Sequence, residues 1–174
     1  MLFRSKGQDL LLQSLIEWER AGGRLQRPAC VVICGEAAFM QGRRHMAKLR
    51  RLAAQLKSVR VVFPGHVTGD RKRAFFGLAD VYVFPSRHES YGLTLMEALA
   101  AGRAAVALET HGARSVMRPE FGRMVADPRQ LAPAIVELLA NDAAREAMGA
   151  SARAYAKANP FSTRAAELAA ILLR

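Results

Sequence analysis

The amino-acid sequence predicts an α/β domain built on a doubly wound parallel sheet. Short apolar, β-rich runs recur at roughly thirty-residue spacing and alternate with stretches of helical periodicity, the pattern of successive βαβ units. The 174 residues suffice for one domain with a substantial core and are too few for two ordinary ones. Hydrophobic residues make up 51% of the chain, the composition of a globular protein and not of a disordered one.

The elements follow in order. Lys6-Gly7-Gln8-Asp9 leads into a helix whose Leu11, Leu12, Leu15, Ile16 and Trp18 share an apolar face, and Gly22-Gly23 ends it. The unbroken apolar run from Ala29 to Gly35 predicts a strand buried on both faces. A long basic helix spans 41–57, and Val59 to Phe63 reads as a second buried strand closed by Pro64-Gly65. Asp70 is placed to cap a short helix running to Leu78. Val81 to Phe84 is a third strand, Ala104 to Leu108 a fourth, and Gly122 to Ala126 a short fifth. A short helix falls at 113–117, and the rest reads as helices over 130–141, 142–157 and 162–173.

The first element is a helix, whereas a doubly wound nucleotide fold normally begins with a strand. The sequence therefore reads as starting after its first strand. That loss would leave a neighbouring strand edge unpaired, so a homodimer through the exposed edge is expected unless another segment completes the sheet.

The functional expectation centres on Asp80 to Gly102: a strand, a polar loop (Arg87, His88, Glu89, Ser90, Tyr91), then a helix from Gly92 that stops at Gly102. In an open parallel sheet, ligands sit outside the carboxyl ends of the strands. The free N–H groups of the helix's first turn favour an anion there. Glu89 lies in the loop and Glu97 on the helix. Leu93, Leu95, Met96, Ala98, Leu99, Ala100 and Ala101 surround Glu97 in sequence. A charge in such surroundings needs a partner or a ligand, and a carboxylate there could accept two hydroxyl hydrogen bonds from a ribose. The plainer readings are a solvated helix glutamate for Glu97 and a solvent-exposed loop carboxylate for Glu89.

The formal net charge is +11, with 26 Lys+Arg against 15 Asp+Glu, which favours anionic partners. Arg43, Arg44, Lys48, Arg50, Arg51 and Lys57 share one helical stretch; solvated arginine faces from composition bias are the plain alternative. With three Tyr and one Trp and no basic–aromatic interleaving, nucleic acid is not the expected partner. No apolar run reaches the about eighteen residues that a membrane span requires. Cys30 and Cys34 read as buried reduced thiols of a cytoplasmic protein. His45, His66, His88 and His111 lack metal-ligand spacing, although the last three all follow predicted strands and could cluster at the sheet's carboxyl edge.

Several motifs in fixed order resemble the C-terminal, donor-binding half of retaining glycosyltransferases with two facing Rossmann-like domains (the GT-B fold), of the glycosyl transferases group 1 family. Lys6-Gly7 with Asp9-Leu10-Leu11 is similar to its KG-x-D-L-L, and Val31 to Gly35 to its second strand and following glycine. Phe63 with Gly65 and Val67 is similar to F-x-G-x-V, and Ala79-Asp80 through Pro85-Ser86 to A-D-x-x-x-x-P-S. Glu89, Gly92, Glu97-Ala98 and Ala100-Ala101-Gly102 match E-x-x-G-x-x-x-x-E-A-x-A-x-G. Gly122, Asp127 and Phe161-Ser162 fall where the tail pattern expects them.

The resemblance implies a role for each matching position. Lys6 would neutralise the donor diphosphate together with N–H groups at the start of the Gly92 helix, where Ser90, Tyr91, Gly92 and Leu93 would lie against the donor. Glu97 would hold the ribose hydroxyls and Glu89 would contact the donor sugar as the catalytic carboxylate. Main chain near Gly35 and from Gly65 through His66 to Val67 would border the nucleobase. No metal and no further cofactor is expected, since cationic side chains and a helix N-terminus stabilise the leaving diphosphate. The implied partners are a nucleotide sugar, an N-terminal domain supplying acceptor contacts, and an acceptor saccharide. The positive charge is compatible with a lipid-linked acceptor and a peripheral place at the inner face of the membrane.

The sequence also departs from the pattern. Met1 stands where the family carries an arginine, Arg103-Ala104-Ala105-Val106 replaces Gly-x-Pro-Val, and His111-Gly112-Ala113-Arg114-Ser115 replaces G-G-x-x-E. A non-catalytic or decayed binding module that uses its basic surface for anionic lipid or nucleic acid is therefore the alternative.

Overall fold

A computed structural model describes residues 4–37 and 39–160. Its strands are β1 (Ala29–Val32), β2 (Val59–Val62), β3 (Val81–Phe84), β4 (Ala104–Leu108) and β5 (Gly122–Val125). Between and after them run α1 (Gln8–Arg20), α2 (Phe39–Ala53), α3 (Gly69–Leu78), α4 (Leu93–Ala100), α5 (His111–Val116), α6 (Leu131–Leu139) and α7 (Asp142–Ala158). The expected strand–helix alternation is present throughout this span. The predicted helix over 162–173 and the motif residues Phe161-Ser162 lie outside the described residues.

All strand pairings are parallel: Ala29 registers with Val59, Val81 with Ala104, and Ala105 with Gly122. They form two groups, β1-β2 and β3-β4-β5. Among the described residues β1 and β3 each have a hydrogen-bonded strand on one side only. The core bridges both groups. Leu11 and Leu15 of α1 pack in one cluster with Val31 of β1, Val81 and Val83 of β3, and Leu131 and Leu138 of α6. Leu12, fully buried, packs instead with Ile33 and with Leu49 of α2. Burying such a leucine contributes about 2 kcal/mol, and truncating Leu12 to alanine costs about 2–5 kcal/mol. Ser14 fastens the other end of α1, donating to the Arg129 carbonyl and accepting from the Ala132 N–H at the start of α6.

β4 sits between β3 and β5, and all five of its residues are buried, as its unbroken apolar run requires. β1 departs from expectation. Its burial alternates, with Cys30 exposed and Val32 42% exposed, because only one face of this strand is covered among the described residues. The buried-thiol reading fails with it: Cys30 is exposed and Cys34 only partly covered. The cap of α3 is also reassigned. Thr68 occupies the N-cap, and Asp70 lies in the first turn, where its carboxylate pairs with Arg73.

Candidate functional site

The site is built around the carboxyl end of β3. Immediately before α1, Arg4–Lys6 form a single 3-10 turn and Gly7 adopts φ 67°, which only glycine takes without strain. Space demands glycine there as well: a Cβ on Gly7 would lie 1.8 Å from the Pro85 carbonyl oxygen. This close approach seats the turn against the end of β3. The Arg87 N–H donates to the Ser5 carbonyl at 2.8 Å, and Lys6 Nζ donates to Glu89 Oε2 at 2.7 Å. Glu89 is mostly covered, its side chain 16% exposed. Two residues to which the resemblance gives adjoining parts of one donor, the diphosphate and the sugar, are thus in direct contact here.

Below this pair lies a charge cluster. The Asp9 carboxylate, fully buried on α1, accepts two hydrogen bonds from the Arg87 guanidinium, at 2.7 and 3.1 Å, and one from Lys48 of α2 at 2.6 Å. Arg87 also donates to the Arg4 carbonyl, at 2.6 Å. Burial works to raise the Asp9 pKa, but the hydrogen bonds from Arg87 and Lys48 outweigh it and hold the group at about 2. His45, buried beside this cluster, lies 3.3 Å from the Gln8 side-chain oxygen. Its pKa is lowered by burial and by the surrounding Lys48, Arg87 and Arg4, against an opposing pull from Asp9. One carboxylate thereby ties α1, α2 and the loop after β3 into a single unit.

The loop after β4 closes over Glu89. The Gly112 N–H donates to the Glu89 carbonyl at 2.8 Å, and a Cβ on Gly112 would sit 2.8 Å from both that oxygen and the Tyr91 nitrogen. Thr110 caps α5 by accepting from the Ala113 N–H. Arg87, His88, Glu89, Ser90, Thr110 and His111 line an open cavity of about 470 Å³. Of the three histidines expected at this edge, His88 and His111 line the same cavity, while His66 is not among the lining residues and His45 belongs to the Asp9 cluster.

Gly92 is the N-cap of α4 with φ 81°, and Tyr91 and Leu93 are solvent-exposed beside it. Glu97 requires a correction. Its side chain is 44% exposed, since only residues three or four positions away share its face, and those are the exposed Leu93, Thr94 and Ala100. The buried Leu95, Ala98 and Leu99 point elsewhere. Glu97 nevertheless has the partner that was anticipated: Lys72 of α3 donates to its Oε1 at 2.6 Å. Beneath them, Tyr82 of β3 packs tilted against Phe76, and burial, reinforced by Glu97 and Glu89, pushes its phenol up to about 12.

The remaining predicted positions lie after β1 and β2. The Gly35 N–H donates to the Gly65 carbonyl at 2.8 Å, which ties the two loops together, with His66 exposed and Val67 half-buried beyond them. Burial raises the Cys34 pKa, and the Arg71 cation opposes that rise. The described residues contain no group of three or more His, Cys, Asp or Glu arranged to hold a metal ion.

Sequence reasoning assigned no role to Asp9, Lys48, Arg87 or Lys72. The signal for Asp9 was present: it is a carboxylate on the face of a helix that buries Leu12, Leu15 and Ile16. The embedding argument applied to Glu97 belonged to Asp9.

Comparison with known proteins places this arrangement. The family described as Glycosyl transferases group 1 matches residues 1–155. The GDP-mannose-dependent alpha-(1-6)-phosphatidylinositol monomannoside mannosyltransferase of Mycobacterium tuberculosis is 32% identical over 179 aligned positions, which cover 96% of this chain and 44% of that protein. The D-inositol 3-phosphate glycosyltransferase of Salinispora arenicola is 28% identical, over 87% of this chain and 34% of its own. Among solved structures, Anabaena HepE in complex with UDP and glucose superposes with a TM-score of 0.83 at 20% identity, over 98% of this chain and 46% of that one. Sucrose-phosphate synthase from Thermosynechococcus elongatus gives 0.77 at 23% identity, over 98% and 42%. The chain thus spans less than half the length of these proteins, and its fold is one half of their GT-B architecture. By its sequence match and by its fold, the chain belongs to the glycosyl transferases group 1 family.

Proposed function

We propose that residues 1–174 form the nucleotide-sugar-binding domain of a retaining glycosyltransferase, whose acceptor contacts come from a second domain. One observation carries the reading. Glu89 and Glu97, the two glutamates of the loop-helix signature after β3, each hold a lysine from another element, Lys6 at 2.7 Å and Lys72 at 2.6 Å. The site therefore pairs two anionic hydroxyl acceptors with two cations beside a helix start, the chemistry that a sugar–diphosphate–ribose ligand needs. In this reading Lys6 exchanges Glu89 for the diphosphate, and the released Glu89 meets the donor sugar. Glu97 accepts the ribose hydroxyls, and the joined loops at Gly35 and Gly65 to Val67 border the base. Ser90 and Tyr91 to Leu93 present the α4 start to the diphosphate without a metal.

The relatives' names speak of GDP-mannose and of phosphatidylinositol and inositol phosphate acceptors. By analogy, we infer a saccharide acceptor, carried on lipid at the inner face of the membrane. Among the described residues no helix is long and apolar enough to cross a membrane.

Calorimetric titration with UDP, GDP and ADP, repeated on Glu97→Ala, tests the donor site. One nucleotide should bind saturably and lose about tenfold in affinity in the variant, the value of a hydrogen bond to a charged group. Silence with all three on folded protein would reject the reading.

A specific observation supports a second reading, docking through a basic surface. Residues 37–69 contain no acidic side chain, and Arg43, Arg44, Arg50 and Arg51 lie exposed on α2 with the exposed Ala47 and Lys48 between them. Salt-sensitive binding to anionic vesicles without any nucleotide affinity would favour it.

A further inference from the structure

We propose that Lys72 is a positioning residue of the nucleotide subsite: it holds the Glu97 carboxylate so that the remaining acceptor sites face the vicinal hydroxyls of a ribose. The inference rests on the donor-site reading above and assigns a function to a residue outside the loop-helix signature.

The ion pair is poorly explained as a stabilising device. Lys72 and Glu97 side chains are 36% and 44% exposed, and exposed pairs of this kind contribute little to stability. Its geometry, however, is well constrained. Lys72 projects from the first turns of α3, and Nζ lies 6.0 Å from the ring centre of Phe76, one turn further along the helix. The Phe76 ring packs tilted against Tyr82, with ring centres 5.6 Å apart and planes at 53°, and the Tyr82 phenol is held neutral within β3. The lysine stem thus runs along an aromatic ledge fixed to the sheet, and Nζ ends against Oε1 of Glu97.

Acceptor arithmetic gives the consequence. A carboxylate offers about four lone-pair sites. Lys72 is the single described donor to the Glu97 side chain, and it uses Oε1 alone. The sites left on both oxygens suffice for two hydroxyl donors. An ammonium carries three N–H groups, so Lys72 retains donors that can meet the hydroxyl oxygens from the other side. Glu97 on the exposed face of an eight-residue helix would otherwise sample several rotamers, and ordering such a side chain costs conformational entropy. Lys72 meets part of that cost before the ligand arrives, which is preorganisation.

The arrangement predicts selectivity for the ribose diol, and that is the readout. The 174-residue chain is titrated with UDP and GDP and with their 2′,3′-dideoxy counterparts, using wild type, Lys72→Met, Lys72→Arg and Glu97→Ala. Lys72→Met should lose about tenfold in affinity for the ribonucleotide and little for the dideoxy form, so the ratio between the two falls toward one. Lys72→Arg should recover most of that ratio. An unchanged ratio in Lys72→Met would overturn the proposal. So would an equal loss for both ligands with a lowered melting temperature, which marks a merely structural pair. A gain in ribonucleotide affinity would show that the lysine competes with the ligand, and would overturn it too. If Glu97→Ala abolishes the preference while Lys72→Met does not, only the inference about Lys72 falls. If wild type binds no nucleotide, the donor-site reading falls and takes this inference with it.

Discussion

The carboxylate of Asp9 and the guanidinium of Arg87 form a two-bonded pair, 2.7 and 3.1 Å, between a fully buried acid on α1 and the loop that carries Glu89. Asp9 is the only acid in this cluster, and Arg87 and Lys48 both depend on it. Asp9→Asn keeps the shape and removes the charge, leaving two cations around a neutral amide. Loss of one partner from a fully buried pair costs about 3–5 kcal/mol, and the partial exposure of Arg87 and Lys48 moderates this. The expected destabilisation is about 2–4 kcal/mol, read as a lowered urea midpoint. Because Arg87 also holds the Ser5 and Arg4 carbonyls, the variant should weaken nucleotide binding too.

The same cluster sets the response to acid. Asp9 titrates at about 2 in the fold against 3.8 in the unfolded chain, so its contribution is present above pH 3.8 and is lost as pH falls through 2. That difference is worth about 2 kcal/mol. His45 acts earlier. Its folded pKa lies below the ordinary histidine value, so the unfolded state takes up the proton first and stability declines as pH drops below 6.5. Urea midpoints measured from pH 7 to 2 should fall in two steps. Asp9→Asn should shrink the lower step and enlarge the upper one, because the Asp9 charge opposes the lowering of the His45 pKa.

Gly7 and Gly22 share a left-handed backbone but differ in surroundings. A Cβ on Gly22 meets nothing within 4 Å, whereas one on Gly7 meets the Pro85 oxygen at 1.8 Å. Gly22→Ala should therefore cost only the conformational strain, about 1 kcal/mol. Gly7→Ala must in addition push the Arg4–Lys6 turn off β3, and should cost about 3 kcal/mol or more while displacing Lys6. Equal melting temperatures for the two variants would contradict this contact.

These glycines show how much the sequence disclosed. The strand–helix alternation, the five strands and the helix between Gly92 and Gly102 were legible, because apolar runs and helix stops are local signals. Glu89 and Gly92 stood out as the loop and helix start after the third strand, whereas Lys6 was singled out only through an ordered motif. The partners were not. Lys6 with Glu89, Asp9 with Arg87 and Lys72 with Glu97 are separated by 83, 78 and 25 residues, and no local pattern encodes which charge meets which. Burial of β1 was misjudged for a related reason: an apolar run reports what a strand can bury, and what covers it depends on the rest of the sheet.

The open edges of β1 and β3 lead to a prediction about association. Strands with unsatisfied N–H and C=O groups pair with whatever extended chain they meet. The 174-residue chain should show concentration-dependent association in light scattering, through an edge-to-edge homodimer. A synthetic extended peptide that lowers the apparent mass would identify the edge as the contact. A clean monomer at high concentration would argue against edge pairing.

Gly112 joins the two loops that line the cavity, and its substitution tests whether they act together. Its N–H holds the Glu89 carbonyl at 2.8 Å, and an added methyl would face the Glu89 oxygen and the Tyr91 nitrogen at the same 2.8 Å. Both obstacles are backbone atoms, so no side chain can swing away to make room. The two loops must part by a few tenths of an ångström, stretching the hydrogen bond between them. Gly112→Ala should lower stability by about 1–2 kcal/mol, the cost of an overpacked contact. Nucleotide affinity should fall more than tenfold, because displacement of Glu89 also moves its partner Lys6. Retained affinity with reduced stability would show that the α5 loop is a structural support and that Glu89 is placed by the Asp9–Arg87 clamp alone.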